Sequence, residues 1–422
     1  MRRTLFIIPH ELMGLPVFGV GWLLLVGLLL FIARLAWAKS RGESIAGRLG
    51  SEGIVWAVVA GLVVWVLPAI EVRNAAGEPL GMPIRGYGVM LVLAFAASVA
   101  LAVIRAGRYG ISPEVIYAMA PWTLVGGIAG ARIFYVIQYR DRFDRWSEML
   151  MFTEGGLVVY GGILGGFAAS LTFLWRNGLP WRIVGDVVVP AIFVGIMFGR
   201  IGCLLNGCCY GGSCEPGPMA LEFPPGSPVY QEQLYSGELI GLTVDPRSRQ
   251  ILAVRPSSLA EAAGIRPGQS LGLIEAVAMD PDRAPPRRPR DMLPTGARVR
   301  VDGQLYVWNP DELPPRAKPV HAAQLYSSGS AAAMACLLLI ASRFAMPAGL
   351  LLFVGMGGYA VIRFGLELVR VDEAGRFGTS LTISQWVSLA VFAVAMIGAW
   401  WSVRHPRANH VAGAGRPRAE GP

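Results

Sequence analysis

Apolar residues run in long blocks along most of this chain, broken by short polar and basic connections. Strict alternation of apolar and polar positions, the mark of a half-buried strand, is rare. A helix that crosses a bilayer needs about 20 mostly apolar residues. Nine segments reach or approach that length, at about 15–34, 54–70, 86–104, 119–138, 156–175, 184–205, 325–341, 346–365 and 383–402. Several are rich in glycine, such as residues 155–166 (GGLVVYGGILGG). In lipid, where no hydrophobic force drives helices together, small residues let backbones approach closely. Between about 212 and 320 the pattern changes to a polar, Pro-rich stretch that cannot span. The pattern predicts an all-α polytopic membrane protein carrying one long polar insert.

Composition sharpens that reading. The 422 residues are 54% hydrophobic and only 15% charged, against roughly 25% charged in soluble domains, and the mean hydropathy is +0.50. Those values exclude a disordered chain, a coiled coil and an ordinary cytosolic enzyme. The net charge of +9 comes from 37 Lys+Arg against 28 Asp+Glu, and the only lysines are Lys39 and Lys318. The arginine bias reflects either codon usage or a need for planar forks that grip phosphate. No cleavable signal peptide is expected, because the first apolar run is too long for one and lacks a small-residue cleavage site before Arg34. Alternation of spans puts Arg34, Lys39, Arg41, Arg48, Arg105, Arg108, Arg176, Arg182, Arg404, Arg407, Arg416 and Arg418 on one face, expected to be cytoplasmic. Arg2, Arg3, Arg140, Arg142 and Arg145 fall on the other face. The insert then lies outside. Within it, residues 254–268 (VRPSSLAEAAGIRPG) predict a small β-domain with a short helix and resemble the ligand-groove segment of PDZ domains. An irregular insert is the competing expectation. Residues 283–290 (RAPPRRPR) read as extended and solvated.

Ionisable residues inside spans are costly and rarely idle. Arg132 sits in residues 126–139 (GGIAGARIFYVIQY), and Arg200 in residues 195–211 (GIMFGRIGCLLNGCCYG). Arg363, Glu367 and Arg370 sit in residues 357–370 (GGYAVIRFGLELVR), at a spacing that shares one helix face with Tyr359. His321 and Gln324 open a later span (HAAQLY). Arg132 and Arg370 could instead snorkel to headgroups, and Arg363 with Glu367 could be a plain intrahelical pair. Three or four buried arginines without matching acids imply an anionic ligand, and in a membrane the available anion is a phospholipid headgroup.

These motifs, in this order, resemble the prolipoprotein diacylglyceryl transferase family. Residues 83–90 (PIRGYGVM) resemble its first-span opening, and residues 130–139 its Gly-x-Arg segment. Residues 155–166 resemble its Gly-Gly-Leu-Ser-Phe-His-Gly-Gly motif, and residues 186–211 its Gly-Arg-Ile-Gly-Asn-Phe-x-Asn-Gly-Glu-x-x-Gly signature. Residues 321–326 resemble its His-Pro-Ser-Gln-Leu-Tyr motif. Residues 359–370 resemble its Tyr-x-x-x-Arg-x-x-x-Glu-x-x-Arg helix, and Gln385 its last-span glutamine. The resemblance covers residues 83–400 apart from the insert. It implies a seven-span core that moves the diacylglyceryl group of phosphatidylglycerol onto the lipobox cysteine thiol of a preprolipoprotein, releasing glycerol 1-phosphate. It further implies a multi-pass protein of the bacterial inner membrane, its active site towards the outer leaflet and the periplasmic side. Arg200, Arg363 and Tyr160 are the implied catalytic residues. Arg200 holds the lipid phosphate and Arg363 anchors the headgroup near the reacting carbon. Tyr87, Arg132, Asn206, Gly211, Gln324, Tyr359, Glu367 and Arg370 line the cavity.

Three positions depart from the family pattern. The family histidine is Tyr160, whose hydroxyl is a weak base at neutral pH. The signature asparagine is Cys203, and the signature glutamate is Cys208, followed by Cys209. The four cysteines 203, 208, 209 and 214 lack recognised metal-ligand spacing, so a metal site is the least favoured of three readings, and no metal and no cofactor is expected. A disulfide involving Cys214 and simple packing remain open, and Cys336 reads as packing. The expected organisation is residues 1–75 as two extra spans, 76–211 and 321–403 as the transferase core, 212–320 as the insert, and 404–422 as a basic cytoplasmic tail. No nucleic-acid partner is expected. The competing readings are a related transferase with another acceptor, a non-catalytic lipid-binding membrane protein and, lowest, a transporter.

Overall fold

The structure is a computed structural model that describes residues 4–42, 53, 55–74, 77–143, 148–149, 156–245, 247–278, 295–370, 375 and 378–406. Arg2, Arg3, Arg48, Arg145, the 283–290 stretch and the tail arginines beyond residue 406 lie outside them.

In chain order the helices are α1 (Trp22–Ser40), α2 (Val55–Ala69), α3 (Gly86–Arg108), α4 (Pro113–Gln138), α5 (Val159–Arg176), α6 (Trp181–Asn206), α7 (Pro228–Tyr235), α8 (Leu259–Ala262), α9 (Ala323–Ala341), α10 (Leu350–Glu367) and α11 (Ile383–Arg404). Seven of them, among the described residues, are long and apolar enough to cross a membrane: α1, α3, α4, α6, α9, α10 and α11. Helix α5 has 18 residues, and the glycines at 161, 162, 165 and 166 dilute its apolar content. The second N-terminal segment is a shorter apolar helix. Its residues Leu62–Val66 adopt a wide π turn just ahead of Pro68, whose missing N–H breaks the α-helical ladder.

Element ends differ from the sequence pattern for identifiable reasons. Helix α4 starts at Pro113 rather than near 119, because a proline at the first helical position gives up no hydrogen bond. Helix α1 starts at Trp22 rather than 15, because Glu11–Leu12 and Leu15–Pro16 pair as a short hairpin. A three-stranded sheet unforeseen in the apolar pattern joins Thr4–Pro9 to Pro79–Arg85, with Val72–Arg73 on the far edge.

The chain divides into two compact units. One comprises Met1–Val89 and Cys203–His321. Its main core gathers Phe223, Val229, Leu234, Ile240, Ile251, Ile274, Val299 and Val320, all buried. Strands Leu271–Ala278, Thr295–Val301 and Gln304–Trp308 form an antiparallel meander, and Leu242–Val244 pairs with Ile251–Val254. The 254–268 segment forms the expected strand end and short helix. Ser258 caps α8 by accepting from the Glu261 N–H, and the Glu261 carboxylate accepts from the Ser257 N–H at 2.6 Å. Gly264, at φ 78°, ends the helix, and Ile265 drops into the core. The Val320–His321 strand pairs with Ala220–Leu221, and the Gly211 N–H donates to His321 O at 2.9 Å.

The other unit comprises Met90–Gly202 and Ala322–Pro422. Helices α4 and α5 cross at contact distance through two Gly-x-x-x-Gly pairs. A Cβ on Gly130 would run into the Gly161 carbonyl, and one on Gly165 into the Gly126 carbonyl. A second fastening is polar. Asp186 accepts from the Gly349 and Leu352 N–H groups at 2.6 and 2.7 Å, capping α10. Arg105 is 1% exposed and donates to Asp186 O, Val187 O, Ser342 Oγ and Tyr109 Oη. Arg182 donates to Ala348 O at 2.7 Å and lies over the Trp401 ring. Arg105, expected as a loop charge, is therefore an internal strut between helices. Its planar fork meets several carbonyls at once, so it can be buried without a bare charge.

Candidate active site

Tyr359, Arg363 and Glu367 follow one another at intervals of four in α10, so their side chains stack on one face. The sequence placed them there, and the structure shows what they meet. Arg363 donates to Glu367 Oε2 and, at 2.9 Å, to Ser384 Oγ. Glu367 is buried, and its second oxygen accepts from the Thr382 hydroxyl at 3.0 Å. Thr382 caps α11. Its hydroxyl accepts from the Gln385 N–H at 3.2 Å, and Gln385 Oε1 accepts from the Thr382 N–H at 3.0 Å. Tyr160, near the start of α5, brings its hydroxyl within 3.2 Å of Ser384 Oγ. One polar chain therefore runs from Tyr160 through Ser384 to Arg363, Glu367, Thr382 and Gln385.

Arg200 lies in a cleft with Ser327, Ser330, Tyr359, Arg363 and Leu366. Phe193 packs edge-on against Tyr359, with ring centres 6.4 Å apart, and fixes that wall. Arg200 is half-buried, and no described hydrogen bond or ion pair engages its guanidinium. The charge count is simple. Glu367 neutralises Arg363, so among the described residues the positive charge in this cleft that lacks an acid is that of Arg200. The cleft is narrow, enclosing about 10 Å³.

The expectation of several buried arginines without acids is thus corrected. Arg363 has its acid in Glu367. Arg132 donates to the carbonyls of Glu148, Met149 and Gly156 at 2.7, 2.8 and 3.2 Å and lies over the rings of Tyr135 and Phe143. It ties Glu148, Met149 and Gly156 to α4. Arg370 is half-buried beyond the end of α10. Gln324 is buried in the first turn of α9, the helix that carries Ser327 and Ser330. Tyr87, Asn206 and Gly211 belong to the other compact unit. Tyr87 opens α3, Asn206 ends α6, and Gly211 is tied to His321.

The sequence reading missed Ser384 and Thr382. Thr382 was legible as the start of a Thr-x-x-Gln capping box. Ser384 had no signal, since one serine in an apolar helix is common. Also missed is an apolar cavity of about 470 Å³ lined by residues of α3, α4 and α6, among them Phe95, Met119, Leu124, Ile128 and Ile192. Its apolar lining suits a hydrocarbon chain.

Comparison with known proteins bears on the family rather than on individual residues. Residues 78–401 match the family model described as prolipoprotein diacylglyceryl transferase. A phosphatidylglycerol–prolipoprotein diacylglyceryl transferase of Rhodopirellula baltica is 45% identical over 439 aligned positions, covering 94% of this chain and 88% of that protein. Proteins of the same name from Idiomarina loihiensis and Clostridium tetani are 35% and 37% identical. Their alignments cover 42% and 32% of this chain, and 68% and 54% of their own lengths.

Proposed function

Because the chain belongs to the prolipoprotein diacylglyceryl transferase family, we propose that it transfers the diacylglyceryl group of phosphatidylglycerol to the lipobox cysteine thiol of a preprolipoprotein. It works as a multi-pass protein of the bacterial inner membrane, with the site towards the outer leaflet and the periplasmic side. On this reading the transferase core is residues 76–211 and 321–403, residues 212–320 are an insert, residues 1–75 are additional, and 404–422 form a basic tail.

The observation that carries the reading is the half-buried Arg200 in one cleft with the anchored Arg363. The substrate thiol loses its proton to solvent, and the sulfur attacks the glyceryl carbon that bears the phosphate. A sulfur–carbon bond forms, the carbon–oxygen bond breaks, and its electron pair leaves on glycerol 1-phosphate. A phosphodiester with one negative charge becomes a monoester with more. Arg200 supplies the binding charge for the diester. Arg363, held by Glu367 and Ser384, faces the charge that builds up as the bond breaks, and preorganised donors of this kind are worth about 10²–10³ in rate. Tyr160 reaches the same Ser384 hydroxyl as Arg363. It orients the headgroup rather than acting as a strong base. Tyr359 walls the cleft. Tyr87, Arg132, Asn206, Gly211, Gln324 and Arg370 are read as supporting residues, with Arg132 acting through the carbonyls of Glu148, Met149 and Gly156. The apolar cavity suits an acyl chain.

The test is lipidation of a lipobox peptide by the purified protein in phosphatidylglycerol vesicles. The expected result is a diacylglyceryl thioether on the cysteine, with glycerol 1-phosphate released in equal amount. An inserted, folded protein that gives neither product overturns the reading. Arg200→Ala is expected to abolish turnover, and a normal rate in that variant removes the proposed role of the cleft.

A further inference from the structure

Helix α6 ends in a turn whose cysteines have no part in the proposed transfer reaction. Gly207, at φ 75°, takes the left-handed position after the last helical residue. The Cys208 N–H then donates back to Cys203 O at 3.1 Å, and the Gly207 N–H to Leu204 O at 3.2 Å. This closure folds the chain back on the helix end. Cys209 follows, also left-handed at φ 59°, although it is not glycine. A side chain in that region costs about 1–2 kcal/mol and persists where the surroundings impose it. The result of both turns is a convergence. The sulfurs of Cys203, Cys208 and Cys209 all lie within 4.8 Å of one another, each half-buried, in a group containing neither carboxylate nor imidazole.

We infer that Cys203, Cys208 and Cys209 form a binding site for a thiophilic d¹⁰ cation, Zn²⁺ or Cu(I). Metal–sulfur bonds of about 2.3 Å set tetrahedral sulfurs roughly 3.8 Å apart, so the three ligands close on an ion by moving about 1 Å or less. An all-sulfur set selects soft metals over Mg²⁺ or Ca²⁺. Binding is proton-coupled: each thiol that ligates releases its proton to solvent as the metal–sulfur bond forms. The spacing hid this set, because Cys203 and Cys208 are five apart. Only the helix-ending turn brings them to one point. Cys214, five residues further on, is not in the group. The site goes beyond the transfer reaction, and its test does not depend on that activity.

Full-length protein in detergent, reduced and then freed of reductant, is to be loaded with Zn²⁺ or, in a separate arm, with Cu(I). The expected result is a single ion per chain in at least one arm, and thiolate charge-transfer bands when Co²⁺ replaces zinc. Cys203→Ser, Cys208→Ser and Cys209→Ser are each expected to lower affinity at least tenfold, while Cys214→Ser and Cys336→Ser leave it unchanged. A second measurement needs no variant. Alkylation of the loaded wild-type protein, mapped by peptide mass, is expected to spare Cys203, Cys208 and Cys209 until a chelator is added. Substoichiometric binding in both arms overturns the site. So does alkylation at those three positions that is the same with and without metal, or recovery of any of the three as a disulfide from freshly reduced, loaded protein.

Discussion

Ser384 makes Arg363 and Tyr160 parts of one unit. Its hydroxyl sits 2.9 Å from an Arg363 nitrogen and 3.2 Å from the Tyr160 oxygen. Residues in one network couple, with interaction energies of about 0.5–3 kcal/mol. Ser384→Ala and Tyr160→Phe are therefore expected to lower kcat by roughly tenfold each, and the double variant by much less than the product. A double-mutant cycle on lipidation rate checks this, and strict additivity would separate Tyr160 from the arginine. Arg363→Lys is expected to fall further, by about 10²–10³ in kcat/KM, because an ammonium cannot span Glu367 and Ser384 together as a fork does. At this scale the sequence was informative where charge is expensive. Arg200, Arg363 and Glu367 stood out because ionisable groups in an apolar run need a reason. Ser384 stayed hidden because a hydroxyl costs little in a helix, where it can bond a backbone carbonyl.

Apolar runs located the helices but said little about what clamps them. The α4–α5 crossing was visible only as glycine content. The structure pairs Gly126 and Gly130 with Gly161 and Gly165 so closely that a Cβ at Gly130 or Gly165 meets a backbone carbonyl. Gly130→Val is expected to force the helices apart and carry Tyr160, which precedes Gly161, out of reach of Ser384. A fall in thermal midpoint together with loss of lipidation would bear this out, and full activity at wild-type stability would refute it. Asp186 is the second case. Its carboxylate satisfies two N–H groups at the start of α10, the helix that carries Tyr359, Arg363 and Glu367. Asp186→Ala is expected to cost about 1–2 kcal/mol, the usual range for a lost helix cap. The sequence could not assign this role, since the capped helix begins more than 160 residues later.

The two compact units rely on different forces, and this predicts different responses to solvent. Helices in lipid gain little from apolar burial, because lipid tails are as apolar as leucine, so close glycine contacts and buried polar struts dominate. The core of Val229, Leu234, Ile240, Ile274 and Val299 belongs to the polar insert, where burial from water is the driving force. Urea weakens that force. Hydrogen exchange on the full chain in detergent is expected to show insert peptides losing protection at lower urea than peptides of α4, α6 and α10. Alkali provides a second handle. Burial raises the Tyr230 phenol from its ordinary value of 10.0 to about 12, and its hydroxyl donates to Pro314 O at 2.8 Å. A folded value above the unfolded one stabilises the fold below about pH 10, and that contribution is lost as pH rises through 12. The tyrosinate absorbance that separates wild type from Tyr230→Phe is therefore expected to develop near pH 12, while urea-unfolded protein shows it near 10. Equal midpoints in the two states would mean that Tyr230 is not buried in this core, and that the insert is not packed around it.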